Sequence, residues 1–210
     1  MNDWVKGRLA GWTPNVHLND VGRQQAQHLH ERLGDLPIVA IYSSPLDRTV
    51  ETARFIADPR KLAVQLVEDV GEVRYGAWEG GDLQALSQHD LWPGVQHYPS
   101  GTRFPGGGET LGEVQMRAVA AIDRLRGRHP GQMFAIVSHA DLLKLVIAYY
   151  IGMHIDLFQR LVINTASVTA LAFHKMGPRL LAFNDTGALD HLRPAPPPAE
   201  EPAAQADPDG

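Results

Sequence analysis

Two strand-to-helix junctions decide how this chain folds: Ile38-Val-Ala-Ile-Tyr-Ser-Ser-Pro-Leu-Asp-Arg48 and Phe134-Ala-Ile-Val-Ser-His-Ala-Asp141. Each opens on a short apolar run bounded by turn residues, the pattern of a strand buried on both faces. Each then passes directly into a helical period. Pro45 fits a first helical turn with Ser44 as its cap, and the helix is expected to run to about Ala57, before Asp58-Pro59. The second helix is expected over residues 140 to about 151. Working outward, Asn19-Asp20 starts a helix that carries Val21, Ala26, Leu29 and Leu33 and closes at Gly34. Short strands are expected at 64–67, 167–173 and 179–183, and a helix from Glu109 or Thr110 to about Arg128. Residues 92–108 are rich in Pro and Gly and read as irregular. Continuous apolar strands alternating with helices predict a layered α/β fold with a mostly parallel sheet.

Composition narrows the function classes. The 210 residues are 44% hydrophobic and 20% charged, which is globular and not disordered or fibrous. No cysteine is present, so disulfide scaffolds, thiolate metal sites and a cysteine nucleophile are excluded, and a reducing compartment suits the chain. The net charge of −5 argues against a nucleic-acid binder. No apolar run approaches the ~20 residues of a membrane span, and the first residues lack the apolar core of a signal peptide. Residues 194–210 hold six of the fifteen prolines and four acids but no aromatic or large aliphatic residue. They read as a disordered tail behind a domain of residues 1–193. The body without them is nearly neutral.

Chemistry concentrates where the two strands end. Arg48 falls in a first helical turn after one strand, and His139 takes the equivalent place after the other. Ligands of open α/β sheets bind at the carboxyl ends of strands, where helix N-termini favour anions. A guanidinium there adds bidentate recognition of phosphate oxygens. A third stretch, Val70-Gly-Glu72-Val-Arg-Tyr75-Gly76-Ala-Trp78-Glu79-Gly80, places a carboxyl before an aromatic turn. Held against apolar walls, such a carboxyl becomes a general acid near neutrality. Glu72 and Glu79 compete for that role. The ten histidines show no His-x-x-x-His spacing, so no metal or other cofactor is expected.

Five motifs in this order resemble the histidine phosphatase superfamily, the phosphoglycerate mutase-like group. They are Ser-Ser-Pro-Leu-x-Arg-x-x-x-Thr-Ala (43–53), Glu-x-x-Tyr-Gly-x-Trp-Glu-Gly (72–80), Gly-Gly-Glu-Thr (107–110), Val-Ser-His (137–139) and Asn-Asp-Thr (184–186). The resemblance covers residues 3 to about 192. It implies a three-layer α/β/α sandwich and phosphoryl transfer through a phosphohistidine. By the same resemblance, Arg48 matches a phosphate-binding arginine. His139 matches the second active-site histidine, which holds the phosphoryl group and stabilises its charge. Glu72 matches the acid that protonates the leaving oxygen. Arg8, Ala10 and Gly11 match a substrate-contacting loop, and residues 82–104 are expected to cap the pocket.

The chain departs from the family pattern at its start. The family's signature strand, ending in Arg-His-Gly with the nucleophilic histidine, is expected just ahead of Asn2-Asp3-Trp4, and Val5 stands where the family often has Asn. The reading therefore expects the first central strand and its nucleophile to be absent from these residues. Either the true start lies upstream of Met1 or a natural truncation leaves a pseudoenzyme; the intact later motifs favour the former. The expected function is phosphomonoester hydrolysis, with this form inactive. The alternatives are a phosphoglycerate mutase-type phosphotransferase or a non-catalytic phospholigand-binding module. The expected partner is a small phosphorylated substrate, in the cytoplasm, without nucleic acid or membrane; a homodimer is left open.

Overall fold

The computed structural model describes residues 1–4 and 7–187. Val5 and the expected tail 194–210 lie outside the described residues.

Helix α1 (Asp20–Leu33) is capped by the Asn19 side chain, which accepts the Gly22 N–H at 2.9 Å. It leads into strand β1 (Ile38–Ser43), helix α2 (Asp47–Ala57) and strand β2 (Val64–Leu66). Two short helices follow, α3 (Leu83–Leu86) and α4 (Trp92–His97), then the long helix α5 (Leu111–Arg128), strand β3 (Met133–Val137) and helix α6 (Ala140–Tyr150). Strands β4 (Val168–His174) and β5 (Gly177–Asp185) close the described chain.

The parallel sheet has the order β2-β1-β3, with Ile41 opposite both Val64 and Ala135. Side chains alternate between its faces, as the two-residue period of a strand requires, apart from a register shift between Ile38 and Ala40 that puts Ile38 on the Ile41 face. Ile38 and Ile41 of β1, with Met133, Ala135 and Val137 of β3, pack against Leu29 and Leu33 of α1 and Ala53 and Ile56 of α2. Ala40, Tyr42, Phe134 and Ile136 face the other way, toward Leu125 of α5. Ile136 also touches the largest core, where α5 meets Leu142, Leu145 and Val146 of α6. The helices thus cover both faces, which is the expected α/β/α layering. No described helix is long and apolar enough to cross a membrane.

Two local expectations are corrected. Ser44 does not cap α2: the cap position is Leu46, without a side-chain cap bond, and the helix starts at Asp47. Residues 92–108 are not all irregular. Trp92–His97 is helical, with Pro93 in its first turn, because Val95 is buried and Trp92 lies against Trp78 at 6.1 Å.

Strands β4 and β5 form a separate antiparallel pair, in which Ala170 faces Ala182. Side chains hold this ribbon to the body. Arg32 of α1 donates to the Ala166, Asp185 and Gly187 carbonyls, and Arg126 of α5 lies 3.5 Å from the Phe173 ring centre. Among the described residues β3 is an edge strand of its sheet, and each of its five residues stays partly exposed.

Candidate functional site

The carboxyl ends of the parallel strands are tied into one rim. The Ser44 N–H donates to the Val137 carbonyl (3.0 Å), the Val67 N–H to the Ser43 carbonyl (2.9 Å), and the Ser138 hydroxyl to the Val70 carbonyl (2.7 Å). This rim places Arg48, in the first turn of α2, beside His139, the cap residue of α6. Both are buried, at 8% and 6% exposure.

Arg48 Nη2 donates to His139 Nδ1 at 3.2 Å and to the Gly11 carbonyl at 2.9 Å. Because guanidinium has only donors, Nδ1 must be the acceptor of a neutral imidazole. His139 Nε2–H then donates to the Ser44 hydroxyl at 2.8 Å. Electrostatics agree with a neutral ring: burial, then the charges of Arg48 and Arg117, pull the His139 pKa well below its usual value. Arg48 Nη1 is buried with no hydrogen-bond partner. An unmade bond on a buried charged donor costs about 1–3 kcal/mol or more, and an anion's oxygen would make it.

Glu72 also approaches His139, with Oε2 at 3.8 Å from the same Nδ1. Its placement depends on α5. Arg117 donates to the Asp69, Gly71 and Glu72 carbonyls at 2.8–2.9 Å and is paired with Glu109 at 2.7 Å, which clamps the Glu72 segment. The segment then turns at Gly76, where φ is +59° and a Cβ would stand 2.1 Å from the Pro105 carbonyl oxygen. Only glycine fits there. Burial first, and the Asp141 charge second, raise the Glu72 pKa to about 7; the Val73 N–H, Arg48 and Arg117 oppose that rise. The carboxyl is thus poised to give up a proton near neutrality.

The remaining expected site residues divide. Gly11 reaches the cluster through its carbonyl on Arg48, and its φ of +50° with Glu79 close by leaves no room for a Cβ. Ala10 only supports that loop, accepting from the Thr13 N–H at 3.0 Å. Arg8 is exposed, lies over the Trp4 ring at 5.2 Å, and makes none of the contacts of the Arg48 cluster. Glu79 accepts the Trp12 N–H at 3.3 Å, so of the two competing glutamates Glu72 is the one beside His139. In the expected cap, Trp92 is packed on Trp78 and Arg103 is paired with Glu113 at 2.6 Å.

Three participants were not singled out from the sequence: Ser44 as the partner of His139, Arg117 as the clamp, and Asp141, which accepts the Tyr75 hydroxyl at 2.9 Å. Asp141 alone left a signal, an acid two residues past His139. Among the described residues no group of three His, Asp or Glu side chains could hold a metal ion. Volume does not pick out this site: a groove of about 480 Å³ lined by Tyr149, Tyr150, Phe173 and Arg126 lies at the C-terminal ends of α5 and α6.

A family model of the histidine phosphatase superfamily (branch 1) matches residues 1–186. The chain is 34% identical over 134 residues to phosphoglycerate mutase-like protein 4 of Arabidopsis thaliana, a match covering 62% of this chain and 58% of that protein's length. It is 30% identical over 154 residues to an adenosylcobalamin/alpha-ribazole phosphatase of Escherichia coli K12, covering 71% and 73% of the two. Its fold is similar to that of a phosphoserine phosphatase from Entamoeba histolytica in complex with 3-phosphoglyceric acid. There the TM-score is 0.81 at 25% identity, covering 91% of this chain and 94% of that one.

Proposed function

The chain belongs to the histidine phosphatase superfamily, and from that premise we propose that it serves phosphomonoester hydrolysis through a phosphohistidine. The observation that carries this reading is the buried, unpaired Nη1 of Arg48, whose other nitrogen is bonded to the His139 ring that Glu72 also approaches. A phosphate oxygen would complete the guanidinium. Neutral His139 would add a donor to another oxygen after its ring exchanges partners. Glu72 would protonate the leaving oxygen, and water would then release phosphate from the phosphohistidine. Arg8, Ala10 and Gly11 belong to the same proposal as the substrate-side loop. Similar proteins that bear the names of phosphoserine, ribazole and phosphoglycerate enzymes support small phosphate esters as the substrate class. Phosphoglycerate mutase-type transfer is the neighbouring alternative, and dependence on a bisphosphorylated primer separates the two. A cytoplasmic location accompanies this reading, since a cysteine-free chain suits a reducing compartment.

We further propose that neither His139 nor His17 is the attacking imidazole and that these 210 residues alone do not turn over. The one lone pair of the neutral His139 ring, on Nδ1, is taken by Arg48, and His17 is exposed and paired with Glu51 at 2.6 Å, with no bond to the Arg48 cluster. The open edge of β3, which runs straight into His139, supports an added strand there. A second reading, phospholigand binding without catalysis, draws on the same unpaired Arg48.

The experiment is titration of the chain with inorganic phosphate, alongside turnover of p-nitrophenyl phosphate. It is repeated on a chain extended by an apolar strand ending in Arg-His-Gly. The expected result is phosphate binding in both and turnover in the extended chain alone. Turnover by the 210-residue chain would sink the missing nucleophile. Binding without turnover in both would favour the binding module, and no binding in either would end the phosphatase reading.

A further inference from the structure

Glu72 is faced by more than cations. Asp141 enters the same space from the first turn of α6, two residues beyond His139. Tyr75, 3% exposed and three residues beyond Glu72, donates its hydroxyl to Asp141 Oδ2 at 2.9 Å. The other carboxylate oxygen, Oδ1, accepts from Lys144 Nζ at 3.2 Å. Lys144 also donates to the Gln159 side chain at 3.1 Å and lies over the Phe158 ring at 5.7 Å. Asp141 is thus oriented by a donor on each oxygen. Its described side-chain bonds go to Tyr75 and Lys144, although an acid in a first turn also suits the helix dipole. Tyr75 in turn joins Asp141 to the Glu72 segment, which Arg117 and the Gly76 turn already hold.

We propose that Asp141 is a positioning residue for Glu72, anchoring the Glu72–Tyr75 segment to α6 through the Tyr75 hydroxyl and bringing a second carboxylate to the Glu72 side of the site. This rests on the reading of Glu72 as the acid. The groups around Glu72 can be named element by element. Arg48 faces it from α2, Arg117 from α5, and His139 and Asp141 from the start of α6. Its own segment contributes Tyr75 and the Val73 N–H, the latter donating to Oε1 at 3.0 Å. Arg48, Arg117 and the Val73 N–H favour the carboxylate. Burial and Asp141 favour the acid. Take away the Asp141 charge and burial stands alone against two arginines and a backbone donor, so the proton is held less tightly.

The test needs no turnover. The side-chain carboxyl carbons of the full chain, labelled with 13C-glutamate, are followed by NMR from acid to alkaline pH, with Glu72 assigned from Glu72→Gln. Asp141→Asn keeps an oxygen for the Tyr75 hydroxyl and removes the charge. Its Glu72 midpoint should fall by roughly half a unit or more, about a threefold weaker hold on the proton. Asp141→Glu should restore it. Lys144→Met works in the opposite direction. It frees the Asp141 charge from its counter-ion, and the Glu72 midpoint should rise. It therefore leaves the proposal open to refutation even if Asp141→Asn fails to fold. An unchanged or raised midpoint in folded Asp141→Asn overturns the proposal, as does an unchanged or lowered one in Lys144→Met. Phosphate titration reports separately on the Arg48 reading, so failure of one does not imitate failure of the other.

Discussion

Arg117 and Arg48 are two largely buried arginines on helices that cover opposite faces of the sheet, and they are used in opposite ways. Arg117 is saturated. Three backbone carbonyls and the Glu109 carboxylate take its donors, and the result is a fixed Glu72 segment. Arg48 is held by the Gly11 carbonyl and His139 through one nitrogen, while the other buried nitrogen has no partner. Folding does not require that second nitrogen; a ligand would. The contrast teaches that burial does not mark a functional arginine. In the proposed reading, incomplete satisfaction within a rim of strand ends does.

The sharpest way to break the comparison is to truncate the structural member. Arg117→Met leaves Glu109 a largely buried carboxylate without its partner and releases the Asp69–Glu72 carbonyls. It should cost about 3–5 kcal/mol of stability by denaturant melts. A loss under about 1 kcal/mol would mean the clamp does not organise the segment.

The next effect is a pH dependence. The folded Glu72 pKa of about 7 lies above the ordinary carboxyl value of 4.5, so the fold prefers the acid form. That contribution is fully present below the unfolded value and is lost as pH rises through the folded one. His139 runs in the opposite direction, losing stability as pH falls below its ordinary range, so the two partly mask each other. Measured against Glu72→Gln, which has no such carboxyl, the native chain should lose on the order of 3 kcal/mol between pH 4.5 and 7. A flat difference would show that Glu72 is not held as an acid.

The smallest stability effect belongs to Arg48. Replacing a partly unsatisfied buried charge with Met should change stability by about 1 kcal/mol or less, while phosphate binding weakens more than about tenfold. A large loss of stability with phosphate binding intact would reverse the roles of the two arginines.

The comparison also marks what could be read from the chain. Strand β1 running into Arg48 and strand β3 running into His139 were legible because a short apolar run followed by a helical period is a local pattern. The α/β layering followed from their alternation with helices. Local rules also misled: Ser44 looked like a cap but spends its hydroxyl on His139, 95 residues away. Trp92–His97 looked irregular because its helix depends on Val95 and Trp92 being buried by distant residues.

The sequence by itself determined the family pattern, the strand ends and the three residue types that meet there. Only the tertiary structure decided which glutamate stands beside the histidine, which tautomer that histidine adopts, and which arginine nitrogen is left without a partner. Those depend on contacts such as Arg117 to Glu72 and Tyr75 to Asp141, separated by 45 and 66 residues. The physical reason is one of range. Periodicity and capping are read over a few neighbouring residues, whereas hydrogen-bond satisfaction and desolvation depend on everything packed around a buried atom.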